Sequence, residues 1–166
     1  MKTSPHVLIV MGSDSDLPVM QGAADILTEF GVPWEMRISS AHRSPVRTMA
    51  LASEAADRGI KIIIAGAGMA AHLAGVVASK TTLPVIGVPM PGGALNGVDA
   101  LYSTVQMPAG IPVATMAIGK AGAKNAGIFS VQILALSDGR LAEALVEYRR
   151  AMDQAVSDKD STLQAG

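Results

Sequence analysis

The sequence predicts an α/β fold: a three-layer αβα sandwich with a parallel sheet of about five strands and an extra helix at the C-terminus. Three observations carry this expectation. Short continuous apolar runs recur along the chain, as in parallel strands covered on both faces. Segments with apolar residues at 3–4 spacing, the helical period, alternate with them. Each run ends in Gly, Pro, Ser or Asp turn chemistry. Alternating strands and helices join by right-handed crossovers, which makes the sheet parallel.

The first strand is Val7-Leu-Ile-Val-Met11, followed by the turn Gly12-Ser-Asp-Ser-Asp-Leu-Pro18. Asp16 is placed to cap the first helix and Pro18 lies in its first turn. Met20, Ala23, Ala24, Leu27 and Phe30 form one face of that helix, and Gly31 ends it. The second strand, near Trp34–Ile38, leads into Ser39-Ser-Ala-His-Arg-Ser-Pro45. Ser44 is the expected N-cap and Pro45 the first helical residue, with Gly59 as the stop. Lys61–Ala65 is the third strand, Gly66–His72 a loop, and the next helix reaches about Ser79. Pro84–Val88 is the fourth strand. A Gly/Pro-rich loop, Pro89–Gly97, precedes a short helix at about Val98–Val105, and Ile111–Met116 is the fifth strand. Ala121–Leu136 reads as a helix. Ser137 is the expected cap of the last one, whose Leu141, Leu145, Tyr148 and Met152 make a single stripe. Residues 1–156 are expected to form a single flavodoxin-like domain, with 157–166 a polar, disordered tail.

Composition narrows the function classes. Charged residues make up 16% of the 166-residue chain and apolar residues 49%. That shortage of charge, with 17 glycines and many alanines, points to surface buried against further copies of the chain. A net charge of −1 and only two Phe, two Tyr and one Trp oppose nucleic-acid binding, which wants a basic stripe and stacking aromatics. Without cysteine there is no disulfide framework, thiolate nucleophile or Cys-based metal site. No apolar run matches a signal-peptide core or the roughly 20 residues of a membrane span, so the expected location is the cytoplasm.

Three strand-to-helix loops converge on one sheet edge, where open α/β sheets bind ligands. Gly12–Asp16 combines a glycine, the hydroxyls of Ser13 and Ser15, and free amides at a helix start, which suits an anion of the phosphate kind. Asp16 can cap its helix or accept from ribose hydroxyls, and the sequence leaves both open. In the second loop, His42 beside Arg43 fits proton transfer next to a bound anion, although a solvated polar loop carries such a pair too. The third loop, Gly66-x-Gly68-x-x-Ala71, lacks the acidic residue that a dinucleotide fingerprint places at the end of the next strand. His72, on an apolar helix, is by itself what a satisfied core histidine looks like. Gly119-Lys120 has neither the upstream Gly nor the following Ser/Thr of a phosphate-binding P-loop. His6, His42 and His72 lie in separate elements with no carboxylate at ligand spacing, so no metal is expected.

Taken in order, the motifs resemble those of one family. They are Met11-Gly-Ser-Asp-Ser-Asp16, Ser40-Ala-His-Arg-Ser-Pro45, Ile64-Ala-Gly-Ala-Gly-Met-Ala-Ala-His-Leu73, Leu83-Pro-Val-Ile-Gly-Val-Pro89, Ser103-Thr-Val-Gln-Met-Pro108 and Ile118-Gly-Lys-Ala-Gly-Ala-Lys-Asn-Ala126. The family is that of the bacterial 5-carboxyaminoimidazole ribonucleotide mutases of de novo purine synthesis, and the resemblance runs from about Val7 to Met152. It implies transfer of a carboxylate from the exocyclic nitrogen of an aminoimidazole ribonucleotide to ring carbon C4, with CO2 as trapped intermediate and no cofactor. It also implies homo-octamers with sites built at subunit contacts. Carried over by motif, Ser13, Asp16 and Arg43 hold the ribose phosphate, Ser40 and Ala41 shape the pocket, and His42 is the acid/base. Ala67, Gly68, His72 and Leu73 line the carboxylate side. The chain departs from the family pattern at Met69 and Ala74, where Gly and Pro are usual, and at Ser44, where Thr is commoner.

Two alternatives remain in view. A related aminoimidazole ribonucleotide carboxylase would take free CO2, though the Ser40–Pro45 and Ala70–His72 motifs favour the mutase. A non-catalytic flavodoxin-like flavin or nucleotide module would leave His42 without a role, and no aromatic for stacking lies in these loops.

Overall fold

The computed structural model describes residues 4–165. The apolar runs form the strands β1 (Val7–Met11), β2 (Trp34–Ile38), β3 (Ile62–Ala67) and β4 (Val85–Pro89), with a two-residue β5 (Ala114–Thr115) at the edge. All neighbours pair in parallel in the order β2-β1-β3-β4-β5. This flavodoxin-like order has its switch point between β1 and β3, because the chain leaves β1 toward one edge and continues from β3 toward the other.

Between the strands run α1 (Leu17–Glu29), α2 (Pro45–Ser53), α3 (Leu73–Ala78) and α4 (Val98–Val105), and α5 (Lys120–Ala135) follows β5. Side chains alternate across a strand, so β1 and β3 supply two cores. Leu8, Val10, Ile63 and Ala65 face Ala52 and Ala55 and the α3 residues Leu73, Ala74 and Val77. Each fully buried aliphatic side chain there stabilises by about 1.5–3 kcal/mol. On the other face, Gly66 leaves room for the thioether of Met20 on α1, and Gly127 of α5 lies against Ala23 and Ile26. Helices therefore cover both sides of the sheet.

Three expectations on boundaries change. The second helix stops at Ser53, and the chain continues in hydrogen-bonded turns to Gly59, whose φ of 85° lets it reverse. The fifth strand keeps only Ala114 and Thr115 of the expected Ile111–Met116, because Pro112 has no N–H to give to a ladder with β4. The cap of the last helix is not Ser137, whose hydroxyl donates to the Leu134 carbonyl at 3.3 Å. Asp138 takes that place, its carboxylate accepting from the amides of Arg140 and Leu141 at 3.0 and 3.4 Å.

The chain divides into two compact units between Ser130 and Val131. The second holds the end of α5 and α6 (Gly139–Gln164). Expected to end in a disordered tail from Ser157, α6 stays helical to Gln164, with residues 157–165 exposed. Among the described residues, no helix is long and apolar enough to cross a membrane.

Candidate active site

The loop after β2 is built almost entirely from hydrogen bonds. The Ser39 amide donates to Met11 O at 2.9 Å, and its buried hydroxyl lies 2.8 Å from the buried Thr48 hydroxyl. Ser44 holds the N-cap position of α2 without capping it. Its hydroxyl turns back instead, accepting from the Ser40 amide at 3.0 Å and donating to the Ser40 carbonyl at 3.1 Å. The Arg43 amide donates to Ser40 Oγ at 3.1 Å. Short Ser side chains in place of an ordinary cap thus fix the backbone that carries Ala41, His42 and Arg43.

Beside this loop, at the carboxyl ends of β1, β2 and β3, lies a cavity of about 380 Å3. Nine of the ten expected site residues line it: Asp16, Ser40, Ala41, His42, Arg43, Ala67, Gly68, His72 and Leu73. Ser13 does not. Its hydroxyl faces its own short 3-10 turn, accepting from the Ser15 amide at 3.3 Å and donating to Asp14 Oδ1 at 3.1 Å. Three further residues line it: Gly12, the glycine of the expected anion loop, and Met69 and Ala70, which were not assigned roles from the sequence. A Cβ added at Gly12 would meet nothing within 4 Å, so nothing in the folded chain itself requires glycine there.

The guanidinium of Arg43 donates one hydrogen bond, to the Gly12 carbonyl at 3.2 Å, which spans the first two loops. Arginine has five N–H donors in a planar fork, so this contact leaves others for an anion. His72 is not a core residue. It is exposed at the start of α3, and its Nδ1 lies 2.8 Å from His42 Nε2, with the rings nearly perpendicular at 80°. One of these nitrogens carries the bridging proton and the other offers its lone pair, so each tautomer leaves one outer N–H on the pair. A second cavity of about 390 Å3 is also lined by Ala41, His42 and His72, together with Ser103 and Met107. Those last two belong to the Ser103–Pro108 motif, the signal from which they could have been found. Among the described residues, no three His, Cys, Asp or Glu side chains are grouped to hold a metal ion.

Asp16 occupies the N-cap position of α1 with no capping hydrogen bond from its side chain, which removes the plain structural role for its carboxylate. Burial pushes that carboxyl above its ordinary value; the Ser13 backbone hydrogen bond lowers it, and the charge of Asp14 raises it further. A raised carboxyl means that the fold favours the protonated form. Stability is then untouched below about pH 4, where both states are protonated, and falls as pH rises through the higher folded value. Asp16→Asn should therefore melt at a higher temperature than wild type at pH 7 without ligand, with the gap closing near pH 4. The same variant should bind a ribonucleotide ligand more weakly. A lower melting temperature for the Asn variant at pH 7 would contradict this account.

A model of the AIR carboxylase family matches residues 6–155. The chain belongs to the AIR carboxylase family. A Synechocystis relative called "N5-carboxyaminoimidazole ribonucleotide mutase" is 56% identical over 97% of this chain and 90% of its own length. A Bacillus subtilis protein of the same name is 55% identical, covering 96% of this chain and 98% of that protein. Treponema denticola PurE, solved by crystallography, superposes with a TM-score of 0.85 at 32% identity, over 96% of this chain and 98% of that one. The sheet order and the C-terminal helix are thus those of a flavodoxin-like member of the AIR carboxylase family.

Proposed function

We propose that this chain interconverts 5-carboxyaminoimidazole ribonucleotide and 4-carboxy-5-aminoimidazole ribonucleotide in de novo purine (IMP) biosynthesis, without ATP, metal or organic cofactor. The observation that carries this reading is the His42–His72 pair beside Arg43 and Asp16 in one cavity whose remaining wall, Ser40 apart, is Ala, Gly, Met and Leu. Arg43 holds the phosphate and Asp16 accepts from the ribose hydroxyls. Ser40 and Ala41 shape the ring pocket, and Ala67, Gly68, His72 and Leu73 line the carboxylate side. Ser13 acts on the phosphate through the turn that it caps.

Catalysis needs one proton moved twice. His42 donates to the exocyclic nitrogen as the N–carboxyl bond breaks, and the bonding pair stays on nitrogen while CO2 is released. Ring carbon C4, electron-rich as an enamine carbon, then uses its own pair to bond CO2, and His42 takes the proton that C4 loses. The sum is an isomerisation. Histidine suits both halves because its proton is exchangeable near working pH. The purified protein should convert the carbamate to the C4-carboxylate in the absence of ATP. Conversion only of the decarboxylated ribonucleotide with added bicarbonate would make it a carboxylase.

The same reading includes a cytoplasmic homo-octamer. Val46, Leu95 and Tyr102 are 76%, 60% and 60% exposed in the first unit, more large apolar surface than a monomer needs to show water. Light scattering at micromolar concentration should give eight times the chain mass, and a monomer mass would refute the assembly.

A further inference from the structure

Among the described residues, two other than glycine adopt a positive φ: Met69 at 51° and Asn96 at 50°. They sit in neighbouring loops. The β3–α3 loop carries Met69, and the β4–α4 loop, residues 90–97, carries Asn96. The Met90 amide donates to the Ala67 carbonyl at 2.8 Å, and a Cβ on Gly68 would stand 3.3 Å from that of Met90, so the two loops are pressed together at their base. Higher up, a Cβ on Gly93 would stand 3.4 Å from Met69 Cγ and 3.7 Å from its sulfur. The thioether therefore rests against bare backbone of the second loop.

Met69 also lines the cavity, yet it is 63% exposed. A left-handed backbone on a long side chain is strained, and such strain gathers at ligand clamps. Methionine is unbranched with three rotatable bonds, so it can leave Gly93 without disturbing either loop. We propose that Met69 is the stopper of this cavity, folding its side chain from Gly93 across the mouth so that freed CO2 is recaptured before it escapes. This rests on the carboxylate-transfer reading above. CO2 carries no charge and offers no strong hydrogen bond, so only exclusion retains it. Where the family pattern has Gly, this chain places an apolar side chain at the rim, which adds exclusion to that of the walls.

The test compares wild type with Met69→Ala, Met69→Gly and Met69→Leu, using the carbamate substrate in isotopically labelled bicarbonate, with the uncatalysed rate subtracted. Two quantities are read: decarboxylated aminoimidazole ribonucleotide released per C4-carboxylate formed, and label entering the C4-carboxylate. Ala keeps the Cβ, Gly removes the backbone strain, and Leu keeps most of the bulk. Both readings should rise severalfold in Ala and in Gly and stay near wild type in Leu. Equal leakage in all four working enzymes would overturn the stopper while leaving the carboxylate transfer intact. Leakage in Gly alone would overturn it too, by making backbone freedom the cause. A wild-type enzyme that does not convert the carbamate would bring down the underlying reaction, and the stopper with it.

Discussion

Replacing His42 with Asn should leave ligand affinity nearly unchanged and lower the single-turnover rate by at least the roughly 10²–10⁴-fold that general acid–base catalysis contributes. The fold should survive, because the loop's hydrogen bonds run through Ser39, Ser40, Ser44 and the Arg43 amide rather than the imidazole. Asn is also tolerated in tight turns. His72→Asn should lose less. It removes the partner at 2.8 Å from His42 but not the imidazole proposed to meet the substrate nitrogen. Ligand affinity and single-turnover rate, measured for both variants, separate the cases. Near-wild-type turnover in His42→Asn would end the proton-transfer mechanism. A joint loss of binding and turnover would make His42 a binding residue and move the proton donor to His72 or to the substrate.

Arg43→Ala is the second large effect. A hydrogen bond to a charged group contributes about 1.5–3 kcal/mol, and 1.4 kcal/mol is tenfold, so KM should rise about 10- to 100-fold. The variant also removes the contact to the Gly12 carbonyl, yet that oxygen lies at an open rim, where water can replace the guanidinium. Stability should therefore move far less than KM. Steady-state kinetics with the intact ribonucleotide would show it, and unchanged KM and kcat would exclude Arg43 from the phosphate site.

The strands and the loops that follow them were legible because the signals are local: apolar runs, a Pro at the first helical position, glycines where turns reverse. What sequence spacing could not reveal was the direction in which short polar side chains point. Ser13 and Asp16 lie three residues apart in one turn; the hydroxyl serves that turn while the carboxylate opens to the cavity. His72 looked like a core residue because it begins an apolar helix, but position 72 precedes the first buried turn and meets His42 across thirty residues of chain. Ser137 and Asp138 are both good caps, and the carboxylate, reaching two amides, wins.

The switch point between β1 and β3 has a consequence for the order in which function emerges as the chain folds. The cavity's walls come from the ends of β1, β2 and β3, and β1 lies between the other two. Each parallel pairing closes a loop that contains a whole helix, the slow kind of contact in a folding reaction. A chain that has paired only β1 with β2 has the Arg43 side of the cavity and no Ala67–Leu73 wall. One that has paired only β1 with β3 has the wall and no histidine at position 42 to face it. The cavity is therefore complete only when β1 has paired with both of its neighbours, and a chain that lacks either pairing lacks one of its walls.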